Sequence, residues 1–585
     1  MKLFDLKSVH RAEGPSALKG AVLVSVGIVV ILLLPGGPFG NPWAPSVGSS
    51  AGNTPTIASD VVVVPASSAN SPTLPGTGGP APPSTSEDAT ITVSNLSHLR
   101  TIPYQLWGIN VMATHQFGSA DAATITDTPV TFLRFPGGVL GDQFNYTSGV
   151  IRNDDGSTTQ ATTSVKTFIQ GCHDLGCSAI LQLPAEINDP KTAAYYAQYV
   201  VKTLGFQPDY WEIGNSPPNW PHYNVPWSQW ATKQGSTLTS LEFAQLVQKY
   251  ITAVKAVDPK ARFTALALGA GNYDKPWVTE LEQVDGPNLS GISIHSYTMG
   301  STPPKLTWAG LLSNLNGEYS LTTQVNLTRG YISAACPTCT TRVFVTESNA
   351  AEDAYSTFNE QFGGTLYVAA ATVQALHVRL TNLDWFCYEG GSDYAWKTDS
   401  GQMQDQYVLY SQMMTHLGPD TLHTIVDGPS SFYAQATYGA SSGMALLLVN
   451  VNMTRSVSVN LSHSGIIAGK TVSQEQWVNG TKGPTNSTFT LGNSVKIPPL
   501  SITILAVGPS GVVGGSPHPP SLHGSNARVG TGGHTTSSKT GSNAAPPWAT
   551  PTRALPHLLT KVAAGPNPAH VLAPSSSSRL VRTDA

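Results

Sequence analysis

Charge is scarce in this chain. Asp, Glu, Lys and Arg make up 11 % of the 585 residues, against about 25 % in an ordinary soluble protein, and the formal net charge is only -4. That balance excludes a surface built to hold a polyanion. The tail from Pro509 spreads Arg528, Lys539, Arg553, Lys561, Arg579 and Arg582 thinly, with Trp548 alone among them as an aromatic, so it reads as solvated chain and no nucleic acid is expected as a partner. Cysteine is rare as well, with five residues, too few for a disulfide-built scaffold. No Gly-rich phosphate turn follows any strand-like run, which argues against a doubly wound open sheet.

Residues 40–88 and 509–585 are dominated by Ser, Pro, Gly, Thr and Ala, a composition that cannot bury enough surface to offset chain entropy. They read as a linker and a disordered tail, leaving roughly 420 residues for a packed fold. Ahead of the linker, residues 1–39 carry Lys2, Lys7, Arg11 and Lys19 before an apolar run from Gly20 to Leu34. Positive charge before an apolar run keeps that end in the cytoplasm and sends the rest across. The run is short for a spanning helix and long enough for a signal peptide. No clear cleavage site follows Pro35, so the expectation is a signal anchor at about residues 20–35 and an extracellular or cell-surface protein, secreted if the segment is cleaved. Eight Asn-x-Ser/Thr sequons, at Asn95, Asn145, Asn288, Asn326, Asn452, Asn460, Asn479 and Asn486, all fall in the packed part, in keeping with a glycoprotein.

From about residue 104 to 418 short β-rich runs alternate with helical patterns. The strands are Leu106 to Val111, Thr131 to Phe135, Ala179 to Pro184, Tyr210 to Gly214, Phe263 to Leu268, Ile292 to Ser296, Val343 to Thr346 and Leu383 to Cys387. Eight βα repeats predict an α/β fold, the (β/α)₈ TIM barrel. Helices are expected at Val165 to Leu175, Thr192 to Leu204, Leu241 to Val257, Val278 to Val284, Leu311 to Ala335, Leu366 to Leu380 and Tyr407 to Leu417. After Gly418 the pattern changes to short alternating strands, Phe432 to Tyr438, Met444 to Val451, Val457 to Leu461, Thr471 to Val478, Thr488 to Leu491 and Ser501 to Val507. This predicts an antiparallel β-sandwich over 419–508 that packs on the barrel. Residues 89–103 precede the barrel, and alternation in Ala89 to Val93 is expected to add a strand to the sandwich. Cys172 with Cys177 and Cys336 with Cys339 bracket the turns into the third and seventh strands, on nearly opposite sides of the barrel. A four-cysteine zinc site is therefore excluded, and two local disulfides, or free thiols, are expected.

Catalytic groups in such a barrel sit at the C-terminal ends of strands. Polar residues collect there: Arg134-Phe-Pro-Gly-Gly138, Pro184-Ala-Glu186, Trp211-Glu212-Ile-Gly-Asn215-Ser216, His295-Ser-Tyr297, Thr346-Glu347-Ser-Asn349 and Trp385-Phe-Cys-Tyr388-Glu389. Taken singly, Arg134 with Glu212 is also consistent with an internal ion pair and His295 with a core histidine. In order and spacing these motifs resemble the clan A retaining glycoside hydrolases, particularly families 39, 51 and 79, over roughly residues 89–508. The resemblance implies Glu347 as nucleophile, Asn215 on a sugar hydroxyl, Arg134 and Tyr297 holding the nucleophile ionised, and His295 and Trp385 lining the sugar subsite. It implies a carbohydrate partner, with no metal or cofactor.

Ser216 departs from that pattern. The family carries a Glu acid/base directly after the Asn, and a serine hydroxyl cannot transfer protons in that role. Glu212 shares the inward face but lies four residues deeper, about 13 Å at 3.3 Å per residue. Glu186, Asp189 and Glu389 stand at the mouth, and Glu186 ranks first as substitute acid. Two functions follow: a glycosidase or transglycosidase with a relocated acid, or a glycan-binding cell-surface protein that has lost catalysis. Trp220, Tyr223, Trp227 and Trp230 crowd the loop from Pro217 to Trp230, either to stack on sugar or to pack the loop.

Overall fold

The computed structural model describes residues 87–508 except 95–98, 127, 221–237, 267–273, 301–306, 352–361, 391–394, 399, 441, 463–468 and 482. The expected anchor, the tail, most of the linker, the Asn95 sequon, and Tyr223, Trp227 and Trp230 lie outside the described residues. Among those described, no helix is long and apolar enough to cross a membrane.

Eight parallel strands close into a barrel in chain order: Gly108–Asn110, Phe132–Phe135, Ser178–Leu183, Tyr210–Ile213, Phe263–Leu266, Leu289–Tyr297, Arg342–Asn349 and Asn382–Trp385. Their two-residue alternation sorts side chains cleanly. Leu133, Phe135, Ala179, Leu181, Trp211 and Ile213 point out into the helix layer and join the main core. Phe132, Ile180, Tyr210 and Phe344 point inward and plug the lower end as a separate apolar cluster. Two residues further along the same strands stand Arg134, Gln182 and Glu212, all without solvent exposure. The barrel is thus apolar at its foot and polar towards its mouth.

Local signals account for the helices. Val165–Leu175 starts where Ser164 Oγ accepts the Thr167 N–H at 3.1 Å and stops at Gly176 with φ 69°, an N-cap and a left-handed C-cap. Ser240–Val257 opens on a capping box between Thr239 and Glu242. The single helix expected over Leu311 to Ala335 is two, Trp308–Leu315 and Leu321–Ala335, because Gly317 breaks the run and Ser320 caps the second. A helix at Ser119–Ile125 and a hairpin of Val150–Arg152 with Thr158–Gln160 were not foreseen. Both cysteine pairs are disulfides, Cys172 to Cys177 and Cys336 to Cys339, and Cys387 is a buried thiol.

The C-terminal part is two facing sheets. One has the order Thr424–Asp427, Glu87–Val93, Val457–Asn460, Ser494–Ile497, so the N-terminal segment does add a strand, starting at Glu87 rather than Ala89. The other has seven strands, with Gly443–Asn450 and Ser501–Val507 near its centre. That sheet is buried on both faces. Leu446, Leu448 and Leu505 enter the sandwich core, while Leu447, Val449, Ile502 and Ile504 join the barrel's core, which is why Gly443–Asn450 reads as an apolar run.

Gly108 shows how tightly the upper barrel is filled. A Cβ there would stand 1.7 Å from Asp384 Oδ1. We expect Gly108→Ala to cost about 1–3 kcal/mol or more through overpacking, measured as a lower denaturation midpoint with unchanged slope in urea; an unchanged midpoint would refute this packing.

Candidate active site

Arg134 is the hub of the barrel mouth. Its Nε donates to Glu212 Oε2 at 2.6 Å, Nη1 to Asn110 Oδ1 at 2.8 Å and Glu347 Oε1 at 2.7 Å, and Nη2 to Asn215 Oδ1 at 2.9 Å. One guanidinium therefore ties together the first, fourth and seventh strands and the loop after the fourth. Burial works against its charge, but Glu212 and Glu347 outweigh that and hold its pKa above the usual arginine value.

Glu347 faces inward because of a bulge. Ile294 of the sixth strand pairs with Val345, yet His295 pairs with Glu347, so Thr346 is an extra residue. Counting in twos from inward-facing Phe344, Glu347 would point at the helices; the extra residue turns it into the mouth. Asn110 Nδ2 binds the Thr346 carbonyl at 2.9 Å and secures the bulge. The Tyr297 hydroxyl donates to Glu347 Oε2 at 2.9 Å, so both carboxylate oxygens are held. His295 Nε2 lies 3.4 Å from Oε1. Burial lowers the His295 pKa, keeping the ring neutral at pH 7, so this contact adds no cation.

Beneath these groups Asp384 is wholly buried, its Oδ1 accepting from Asn382 Nδ2 at 2.9 Å. Burial raises its pKa well above the ordinary aspartate range. The mouth rim is partly apolar. Met112, Tyr297 and Phe386 are half-buried and packed around Cys387. Gly137 (φ +83°) and Gly138 (φ +56°) adopt backbone conformations that favour glycine, and a Cβ on Gly138 would lie 3.2 Å from the Phe386 ring and 3.9 Å from Glu347 Oε1.

Arg134, Asn215, His295, Tyr297 and Glu347 converge as the sequence predicts. Trp385 does not join them. It is fully buried, edge-on to Tyr367 and Tyr410 of the helix layer at 6.1 and 5.9 Å, because Asp384 takes the inward position on the eighth strand. Phe386 is the aromatic that reaches the mouth. Trp220 is also turned into the core, edge-on to Phe243 with its indole N–H on the Asn215 carbonyl at 2.8 Å, so for this member of the aromatic loop packing is the outcome. Ser216 is buried at φ 50°, ψ 50°, its hydroxyl 3.4 Å from Asn215 Nδ2. Glu212 lies under Arg134 without exposure, out of reach of any substrate.

The three mouth carboxylates part ways. Asp189 caps the helix Pro190–Gln198 through Lys191 N and Thr192 Oγ1, and Glu389 binds Lys397 at 2.8 Å. Glu186 instead lines a cavity of about 80 Å³ with Val139, Asp142, Gln143, Asp154, Asn215 and Trp220. Sequence reasoning missed Asn110, Asp142, Gln182, Asp384 and Phe386. A signal existed for Asn110, Gln182 and Asp384, which are polar residues at inward positions of buried strands.

The fold, a closed eight-stranded barrel with a β-sandwich, is shared with solved glycoside hydrolases. The structure has a TM-score of 0.60 to the family 51 arabinofuranosidase of Xanthomonas axonopodis pv. citri, with 14 % identity, over 72 % of this chain and 100 % of that one. A family 44 xyloglucanase from Paenibacillus polymyxa scores 0.54, with 12 % identity, over 72 % of this chain and 100 % of that one. In sequence, the chain is 24 % identical over 196 residues to an intracellular exo-alpha-L-arabinofuranosidase of Bacteroides ovatus, across 30 % of this chain and only 36 % of that protein. No family model matches the chain.

The hub carries a stability prediction. Removing the cation leaves two carboxylates buried without compensation, so Arg134→Met should cost about 3–5 kcal/mol. Glu212→Gln added to it should recover part of the loss, read from urea unfolding of the four proteins in the cycle. Strict additivity of the two changes would contradict the pairing.

Proposed function

We propose that this protein is a retaining glycosidase acting on an O-glycosyl bond, with Glu347 as nucleophile. One observation carries the reading: Glu347 is 6 % exposed, at the inner wall of the mouth, with Arg134 on one carboxylate oxygen and Tyr297 on the other. A nucleophilic carboxylate must be ionised and aimed before substrate arrives, and a cation plus a hydroxyl donor do both. Asn215, its amide fixed by Arg134, would meet the hydroxyl next to the reacting carbon, and Phe386 would offer an apolar face to the ring. The arabinofuranosidase names of the sequence relative and of a structural neighbour put pentofuranosides first among substrates to try.

Export belongs to this reading. Its support is the apolar run at 20–34, the two disulfides, and the seven described sequon asparagines, none of which is buried. Cell fractionation with N-terminal sequencing of the product distinguishes an anchored chain from a cleaved one, and recovery of the full chain in the cytosol would overturn it.

A second reading rests on Ser216. Without an acid there, the mouth becomes a glycan-binding cleft that performs no turnover. The two are separated by dinitrophenyl glycosides, whose leaving group departs without protonation. A glycosidase should release dinitrophenol from at least one sugar, and Glu347→Gln should cut that release by roughly 10³-fold or more. Release unaffected by Glu347→Gln, or glycan binding with no release from any sugar, would sink the enzyme reading.

A further inference from the structure

The geometry points to Glu186 and Asp142 as a carboxyl pair that replaces the acid/base missing at Ser216, with Glu186 as the catalytic acid and Asp142 as the positioning residue that keeps it protonated. This rests on the reading of Glu347 as nucleophile.

Three observations carry it. Both carboxyls are buried, at 3 % and 4 % exposure, and both line the same small cavity. Asn215 also lines that cavity and shares the Arg134 guanidinium with Glu347, which ties the cavity wall to the nucleophile. Finally, Asp142 is built into the loops that frame it. Its Oδ1 accepts the N–H groups of Ala185 at 2.8 Å and Glu186 at 3.2 Å, and its Oδ2 accepts that of Asn215 at 2.9 Å. One side chain thus sets the backbone of the proposed acid and of the sugar-binding amide together.

Two buried carboxyls around one cavity cannot both ionise at little cost, so the pair retains a proton. Three N–H donors reserve the negative charge for Asp142, since a protonated carboxyl accepts them less well. The proton is left on Glu186. Burial nonetheless pushes Asp142 up to about 7 against those donors, so the Asp142 charge is fully developed only above neutral pH. Other titratable groups facing it are Asp154 across the cavity, Tyr250 of the helix Ser240–Val257, which feels the Asp142 charge, and Asp189, whose N–H binds the Tyr250 hydroxyl at 2.9 Å.

In the first step a Glu347 oxygen bonds to the anomeric carbon as the bond to the leaving oxygen breaks, and the Glu186 proton passes to that oxygen. In the second, water attacks the same carbon, the ester to Glu347 breaks, and a water proton returns to Glu186. One glycoside and one water give the free sugar, as its hemiacetal, and one alcohol.

The test uses the full chain with paired substrates of one sugar, one alkyl or poor aryl leaving group and one dinitrophenyl. Glu186→Gln should slow the poor leaving group by about 10²–10⁴-fold, with a smaller effect on the first-turnover burst from the dinitrophenyl glycoside. Azide should then restore turnover by trapping the sugar in place of deprotonated water. Asp142→Asn keeps an acceptor for the N–H groups but removes the charge. Glu186 then loses its proton more easily, and the alkaline limb of kcat/KM should move to lower pH by about one unit or more. Equal slowing of both substrates by Glu186→Gln, or an unmoved limb in a folded Asp142→Asn, overturns the pair. Failure of Glu347→Gln to abolish the dinitrophenyl burst would instead strike the underlying reading, so the two failures are distinct.

Discussion

The mouth of this barrel depends on one buried cation. Arg134 spends four hydrogen bonds on Glu212, Asn110, Glu347 and Asn215, and no other cation reaches any of the four among the described residues. Glu212 below anchors the guanidinium plane. Its Nη1 and Nη2 edges are then available to hold Glu347 and Asn215 in fixed relative positions. The planar fork of arginine suits this in a way lysine would not, because a single ammonium cannot present separate edges to carboxylates on different strands. The site is therefore preorganised by an ion triad rather than by loop packing, and its floor is as rigid as the barrel strands themselves.

Much of this was legible from residues alone, for a physical reason. Parallel barrel strands are buried on both faces, so a polar residue inside one stands out against Val, Ile and Leu. Arg134, Asn215, His295, Tyr297 and Glu347 stood out as polar residues at the C-terminal ends of the strands and by motif likeness, and the position of the turns excluded a four-cysteine site while leaving local disulfides or free thiols. What stayed hidden was local geometry. The bulge at Thr346 leaves no mark in composition, and inward orientation for Glu347 came only from motif likeness. Trp385 and Phe386 are neighbours, and their assignment turned on whether Asp384 or Trp385 faces in. Two-residue counting from Asn382 would have decided it. Asp142 was unreadable because it lies in the four-residue helix Leu140–Gln143, where periodicity has no length over which to act.

The loops after the second, third and fourth strands share a common design. Glycines with positive φ at 137, 138 and 214 let the backbone turn sharply at the rim, and the polar ends they free are satisfied by side chains: Gln182 accepts from Gly137 N at 2.9 Å and donates to the Gly138 carbonyl at 3.1 Å. Asp142 does the same for Ala185, Glu186 and Asn215. Backbone placement at this side of the mouth is thus delegated to buried polar side chains, which fixes functional groups more tightly than surface loops alone can. Ser216 sits at the end of this chain of support, in a left-handed conformation just before Pro217 and Pro218, where proline already disfavours the helical alternative.

That arrangement bears on what a polar mouth costs the fold. A buried Arg with two carboxylates is often less stable than apolar residues of the same volume, by about 1–4 kcal/mol. Asp384 adds a fully buried carboxyl, and Gly108 forgoes a side chain to admit it. None of this is needed to close a barrel whose foot is already sealed by Phe132, Ile180, Tyr210 and Phe344. Packing alone would favour extending that plug upward. A fold that bears the cost of charge at its mouth, and turns Glu347 into it through an inserted residue, is held in that arrangement by Arg134 and its partners, of which Ser216 is not one.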